Sequence, residues 1–234
     1  MTSTDFSFGM PRASRAAVGG VVYHVPNRGN DGMDIFKKPD DYPALLQILC
    51  DGKQKADMEL FGFCLMSNHW HLVLRPKGDG DLAAYVSWVT NTQVKRYRAH
   101  YRRTSGHLYQ GRYKSFPVEE DAYFLTLMRY VEANPVPAKM VLRAEQWRWS
   151  TLGCKSQWSS KLLDRWPVDR PRNWSALVNQ PPRDAERQRV IDSMERGRPL
   201  GSDAWVMRTA RKLGLQYTIN PRGGPRKSTV SAAK

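Results

Sequence analysis

Met58-Glu59-Leu60-Phe61-Gly62-Phe63-Cys64-Leu65-Met66-Ser67-Asn68-His69-Trp70-His71-Leu72-Val73-Leu74 sets a largely apolar run and a second short run on either side of a two-residue turn signal. Two such runs so joined read as strands of a hairpin. Side chains alternate along a strand, so His69 and His71 project from one face. Trp70, Leu72 and Leu74 take the other, an apolar face that can pack on helices. Upstream, Gly20 to Val25 reads as a strand ended by Pro26-Asn27-Arg28-Gly29-Asn30. Asp40 or Asp41 caps a helix with Pro43 in its first turn and Leu45, Leu46 and Leu49 as its buried stripe. Downstream, Pro76-Lys77-Gly78-Asp79-Gly80 breaks the chain, and Leu82, Tyr85, Val86 and Val89 then follow helical spacing. Tyr113 to Val118 reads as a fourth strand. Asp121 caps a helix running to about Ala133, stopped by Asn134-Pro135. The order predicts an α+β fold: a ferredoxin-like split βαβ sandwich, with a mostly antiparallel central sheet and helices on one face.

The 234 residues suit one full domain with appendages. Residues 1–17 read as a frayed N-terminus and 18–152 as the folded domain. Residues 153–182 continue an aromatic, proline-rich wrap that starts near 141 and carries Trp147, Trp149, Trp158, Trp166 and Trp174. Residues 183–234 form a basic C-terminal extension, with short helices at Arg183–Arg196 and Asp203–Leu213 and a basic arm from Asn220. The three cysteines lie far apart without a C-x-x-C, which excludes a disulfide framework or zinc knuckle and fits a reducing cytosol. No run reaches the roughly 18–20 apolar residues of a membrane span, and no secretory signal is evident. The expected location is cytoplasmic, associated with the nucleoid.

Thirty-seven Lys and Arg against 22 Asp and Glu leave a formal charge of +15, which predicts a polyanionic partner. Leu82 to Val118 holds no acid but carries Lys95, Arg96, Arg98, Arg102, Arg103, Arg112 and Lys114. Tyr85, Trp88, Tyr97, Tyr101, Tyr109, Tyr113 and Phe116 lie among them. Cations interleaved with rings suit a nucleic-acid groove that tracks the backbone and stacks bases; the same pattern also fits a solvated helix face over core aromatics. Ala204 to Lys234 is again free of acids, and its seven cations include Arg222, Arg226 and Lys227.

Two imidazoles side by side make half a metal site, although H-x-H also recurs in plain strands. Tyr130 and Asn134, four apart, share a helical face if the helix reaches that far. A tyrosine beside a metal-bound phosphate is a reasonable nucleophile, and an amide oxygen is a hard ligand. Two imidazoles and one amide oxygen leave positions for phosphate and water, which suits Mg²⁺ or Mn²⁺. The alternatives are an ordinary core residue at Tyr130 and a simple helix stop at Asn134. His24 either touches DNA or fills a polar sheet position. His100 and His107 read as solvated or phosphate-facing, and Arg28 and Asn30 as DNA contacts or turn residues.

Four blocks occur in order: Tyr23-His24-Val25-Pro26-Asn27-Arg28-Gly29-Asn30; Phe63-Cys64-Leu65-Met66-Ser67-Asn68-His69-Trp70-His71-Leu72-Val73-Leu74; Gly106-His107-Leu108-Tyr109-Gln110-Gly111-Arg112-Tyr113-Lys114-Ser115; and Arg129-Tyr130-Val131-Glu132-Ala133-Asn134-Pro135. Together they closely resemble the REP-associated tyrosine transposases, relatives of the single-tyrosine HUH (histidine–hydrophobic–histidine) transposases. The resemblance spans about residues 19–152, ending in Trp147-Arg148-Trp149-Ser150, and Gly197-Arg198-Pro199-Leu200-Gly201 is similar to tails in the family. It implies an HUH nuclease fold with a catalytic domain over 18–152. It further implies divalent-metal-dependent cleavage and joining of single-stranded DNA at palindromic hairpins; nothing along the chain chooses between a monomer and a homodimer. His69 and His71 would be metal ligands, Asn134 the third ligand and Tyr130 the nucleophile, giving a 5′-phosphotyrosine intermediate. Lys95, Arg96, Arg102, Arg103, Arg112, Lys114, Arg28 and Asn30 would contact DNA, with Arg222, Arg226 and Lys227 in the tail. Two positions depart from the pattern: Pro137 stands where many relatives carry a basic residue, and Gly224 where a minor-groove hook would prefer arginine. A rolling-circle initiator or relaxase, a non-catalytic DNA-binding regulator and an RNA-binding ferredoxin-like module are the rival readings.

Overall fold

The computed structural model describes residues 17–154 and 157–220. The basic arm with Arg222, Arg226 and Lys227, and nearly all of the N-terminal segment, lie outside the described residues. Four strands, β1 (Val22–Arg28), β2 (Met58–Met66), β3 (His69–Pro76) and β4 (Phe116–Val118), form one sheet in the order β2-β3-β1-β4, with every neighbouring pair antiparallel. This is the ferredoxin-like order expected from the sequence. Ser67-Asn68 makes the hairpin turn, with Met66 paired to His69. Strand β1 does not stop at Val25 but continues through Pro26. The Pro26 carbonyl accepts from the Lys114 amide on the β4 side, where the β1–β4 ladder has already ended at His24. Its missing N–H faces that same side, so the proline costs no ladder bond. Strand β4 is correspondingly shorter than the sequence suggests.

Helices α1 (Asp41–Gly52) and α2 (Asp81–His100) cover the face that carries Trp70, Leu72 and Leu74. Leu45, Leu46 and Leu49 of α1 meet Tyr85, Val86 and Val89 of α2 there. Helix α3 (Ala122–Ala133), capped by the Asp121 carboxylate accepting from the Tyr123 amide at 2.7 Å, packs on the opposite face. Helices therefore lie on both faces of the sheet, not on one. Strand β2 explains why: Leu60, Phe61, Phe63, Cys64 and Leu65 are all fully buried, so neither of its faces can be left to water. Phe61 and Cys64 join Val22 and Val73 beneath Phe124, Leu127, Met128 and Val131 of α3. Each such large side chain contributes about 1.5–3 kcal/mol by leaving water.

The aromatic residues of the basic stretch divide with the same logic. Tyr85, Tyr97, Tyr109 and Phe116 are core residues and cannot stack bases; α2 turns its rings inward and Lys95 and Arg96 outward.

The remaining chain closes both sheet edges, which blocks unwanted strand pairing. Along β2, Leu65 donates to the Trp149 carbonyl at 2.9 Å, Thr151 to Phe63 at 2.9 Å and Asp164 to Leu60 at 2.9 Å. The Trp147 and Trp166 indoles donate to the carbonyls of Leu65 and Phe61. Short helices α4 (Gln157–Leu162) and α5 (Trp174–Asn179) lie in this wrap. Helices α6 (Asp184–Arg196) and α7 (Asp203–Leu213) flank a segment in which Leu200 bridges Val118 in parallel, beyond β4.

Candidate active site

A cleft of about 580 Å³ opens on the α3 face, at the end of the sheet where β1 finishes and β3 begins. Register places Arg28 opposite His69 and Pro26 opposite His71, so the end of β1 and the start of β3 present their side chains together. His69 and His71 share the cleft face, with ring centroids 5.0 Å apart and nearly perpendicular planes. Gly29 lets the chain turn sharply beside the hairpin tip. Its amide donates to the Asn68 carbonyl at 2.8 Å, and a Cβ there would stand 2.3 Å from the Met33 carbonyl oxygen.

Each histidine has one ring nitrogen engaged and one left over. His69 Nδ1 bonds Asn68 Oδ1 at 2.6 Å, and the Asn68 amide nitrogen donates to the Gly32 carbonyl. His71 Nδ1 bonds His24 Nε2 at 2.9 Å, leaving His71 Nε2 buried without a partner. From α3, Tyr130 meets the His71 ring edge-on, with centroids 6.0 Å apart. Asn134 keeps helical angles (φ −47°, ψ −39°), so it follows Tyr130 one turn later on the same face. Its amide nitrogen donates to the carbonyls of Tyr130 and Val131, at 2.8 and 3.2 Å, leaving Oδ1 outside both bonds. Two imidazoles and an amide oxygen are a donor set that fits a hard divalent ion, and the unpartnered Nε2 is the atom such an ion would use. Among the described residues no group of three His, Cys, Asp or Glu could hold a metal; the amide of Asn134 lines the cleft beside the two imidazoles.

Cations reach the cleft from two places: Arg28 at the end of β1, and Arg112 and Lys114 in the loop that leads from α2 to β4. That loop is bound to β1 by Gln110 donating to the Arg28 carbonyl at 3.0 Å and Asn30 to Leu108 at 2.9 Å. Tyr109 anchors it in the core, accepting from the Trp70 indole and donating to Gln93. Lys95, Arg96, Arg102 and Arg103 are not brought to the cleft, because α2 packs on the other face of the sheet. Asn30 is spent on Asp31 at 2.9 Å and does not line it either. His24 is 0% exposed, so it cannot touch DNA.

A family model described as "Transposase IS200 like" matches residues 17–134, half of the chain, and ends on Asn134. The chain belongs to the IS200-like transposase family. Four chains among the solved structures also match it. One is a REP-associated tyrosine transposase bound to a REP hairpin, superposing with a TM-score of 0.50 at 18% identity over 62% of this chain and 84% of that one. At that identity the likeness shows the fold, and with the family match it bears out the resemblance carried by the four sequence blocks. No curated protein matches. Among the described residues no helix is long and apolar enough to cross a membrane.

One wall of this transposase's cleft comes from beyond the family match. Ile191, Met194 and Glu195 of α6 line it, and Arg129, next to Tyr130, latches the preceding segment through the Gln180 and Pro181 carbonyls at 2.9 Å. The signal was present as helical spacing of 191, 194 and 195 on one face, but nothing local says what that face covers. Burial pushes the Tyr130 phenol above its ordinary value, and the Arg187 guanidinium on α6 opposes the rise.

The transposase holds its imidazoles neutral. Burial, then the Arg28 charge, pulls His69 down to about 4; burial alone takes His24 to about 3; burial, then its two histidine neighbours, holds His71 well below the ordinary value. Neutral imidazole is the ligand form. The unfolded chain takes up these protons near pH 6.5 and the folded one does not, so stability is full above about 6.5 and falls with pH below it. The expected slope is about 1.4 kcal/mol per pH unit for each of the two buried rings, His24 and His71. Unfolding midpoints of chelator-treated protein between pH 7 and 5 check it; a flat profile would contradict it.

Proposed function

We propose that this transposase cleaves and rejoins single-stranded DNA at palindromic hairpins through a 5′-phosphotyrosine intermediate, with Mg²⁺ or Mn²⁺ as cofactor. The observation that carries the reading is the convergence of His69, His71, Tyr130 and Asn134 on one cleft edged by Arg28, Arg112 and Lys114. His69, His71 and Asn134 would hold the ion, which would polarise the scissile phosphate and neutralise developing charge. Arg28, Arg112 and Lys114 position the flanking phosphates. Tyr130 Oη attacks phosphorus in line; the P–O3′ bond breaks, the phenol proton is lost and the departing 3′-oxygen takes up a proton. The 5′-phosphate stays on Tyr130. That ester retains the energy for rejoining when a 3′-hydroxyl attacks it, so no nucleotide triphosphate is required. Lys95, Arg96, Arg102 and Arg103 lie away from the cleft and would meet only DNA outside it.

The test is strand joining. A 3′-labelled hairpin cleaved in Mn²⁺ and then supplied with excess unlabelled strand bearing a 3′-hydroxyl is expected to yield a labelled ligated product without ATP. Cleavage that gives only free ends would contradict the joining step.

The basic arm adds affinity and no chemistry in this reading. A version ending at Asn220 keeps α7 packed and removes Arg222, Arg226, Lys227 and Lys234. If about two of them meet phosphates, the slope of log K against log salt for hairpin binding flattens by roughly 1–2, with cleavage at saturating DNA unchanged. Equal slopes would show that the arm is not a phosphate contact.

A further inference from the structure

We propose that His24 is a positioning residue, holding His71 by its Nδ1 so that Nε2 is presented as a ligand to the divalent ion; this rests on the metal role proposed for His69 and His71. His24 sits on β1 in a fully buried position whose same-face neighbours in the sheet include Val22 and Val73, where an aliphatic side chain would pack as well. It is instead an imidazole with Nδ1 buried and unpartnered, an arrangement that costs free energy and calls for an explanation.

What it touches is specific. His24 Nε2 lies 2.9 Å from His71 Nδ1, and the two rings meet edge to edge, with centroids 5.1 Å apart and planes within 5°. Phe116 meets the far side of His24 edge-on at 5.0 Å, so the ring is held from both sides.

The two metal-site histidines differ in how their protons are placed. For His69 the partner is the Asn68 amide oxygen, an acceptor only, whose orientation is set by the amide's bond to the Gly32 carbonyl. His69 Nδ1 must therefore carry the proton, and Nε2 carries the lone pair. For His71 the partner is another imidazole, which can accept or donate. If His71 donates, its Nε2 offers a lone pair to the cleft and His24 keeps its proton on the buried Nδ1. If His24 donates, the His71 proton moves to Nε2 and blocks the ligand atom. Only the first arrangement binds an ion, and an ion at Nε2 selects it. His24 thus does for His71 what Asn68 does for His69: it orients the ring and takes the Nδ1 proton.

The experiment is Mn²⁺ binding by the full chain without DNA, read as free Mn²⁺ by electron paramagnetic resonance. His24→Phe keeps a ring and loses both nitrogens; it is expected to weaken Mn²⁺ binding 10–100-fold. His24→Gln places an amide oxygen near the lost Nε2 and is expected to bind within a few-fold of wild type. Nitrogen-15 spectra of the Mg²⁺-saturated wild-type protein are expected to show His71 protonated at Nδ1, and they serve even if His24→Phe does not fold. Wild-type Mn²⁺ affinity in His24→Phe, equal losses in both variants, or a His71 proton on Nε2 with Mg²⁺ bound would each overturn the inference. Wild-type protein that binds no Mn²⁺, or His71→Ala that binds it as tightly as wild type, would instead remove the metal assignment, and this inference with it.

Discussion

Tyr130→Phe is expected to bind hairpin DNA with wild-type affinity, form no covalent adduct and cleave at least about 10³-fold more slowly. The substitution removes one oxygen and keeps the ring that meets His71 at 6.0 Å, so the cleft retains its shape. A residual rate would come from water activated in the same site. Cleavage assays on a labelled hairpin, with binding measured in parallel, separate the two effects. The fold narrows the field of substitutes. The Tyr109 hydroxyl is buried and bonded to Trp70 and Gln93, and the Tyr97 ring is packed in the α2 core. Wild-type cleavage by Tyr130→Phe would therefore point first to Tyr113, in the loop with Arg112 and Lys114, and would end the assignment of Tyr130.

The second large effect is at the histidines. His69→Ala and His71→Ala are each expected to lower cleavage by at least about 100-fold, and EDTA to reproduce the loss in wild-type protein, with recovery on adding Mn²⁺. Asn134→Ala is expected to cost less, about 10-fold, because water replaces a neutral oxygen ligand. It also removes the two bonds that the Asn134 amide makes to the Tyr130 and Val131 carbonyls, so the end of α3 loosens and the Tyr130 ring gains freedom. A rise in the metal concentration needed for half-maximal rate distinguishes ligand loss from that loosening. Undiminished cleavage by protein stripped of metal would contradict the ligand roles outright.

Much of this site was legible along the chain because its pieces are local. Strand alternation alone puts His69 and His71 on one face, and the Ser67-Asn68 turn fixes their register. The Asp121 cap and the Asn134-Pro135 stop bracket α3, and a spacing of four puts Tyr130 and Asn134 together. What was not legible depends on faces meeting over long range. The unbroken apolar run of β2 reads as a strand, but only the second layer of helices reveals that it is covered on both sides. Pro26 reads as a terminator because its cost depends on where the β4 ladder ends, some 90 residues away. Cations and rings alternate in α2 for an ordinary amphipathic reason, so Lys95 and Arg96 face water while Tyr85 and Tyr97 face the core. The His24–His71 bond and the α6 wall join segments 47 and more than 50 residues apart, and no spacing rule connects them.

The most direct measurement is to trap the intermediate on the unmodified protein. Full-length protein is incubated with labelled single-stranded hairpin DNA and Mn²⁺, denatured, and digested with protease and nuclease; the peptide that retains a nucleotide is sequenced by mass spectrometry. The account predicts one adduct, on Tyr130, joined through the 5′-phosphate of the cleaved strand and matched by a free 3′-hydroxyl on the other fragment. Cleaved DNA with no covalent adduct, or an adduct on any residue but Tyr130, would contradict it.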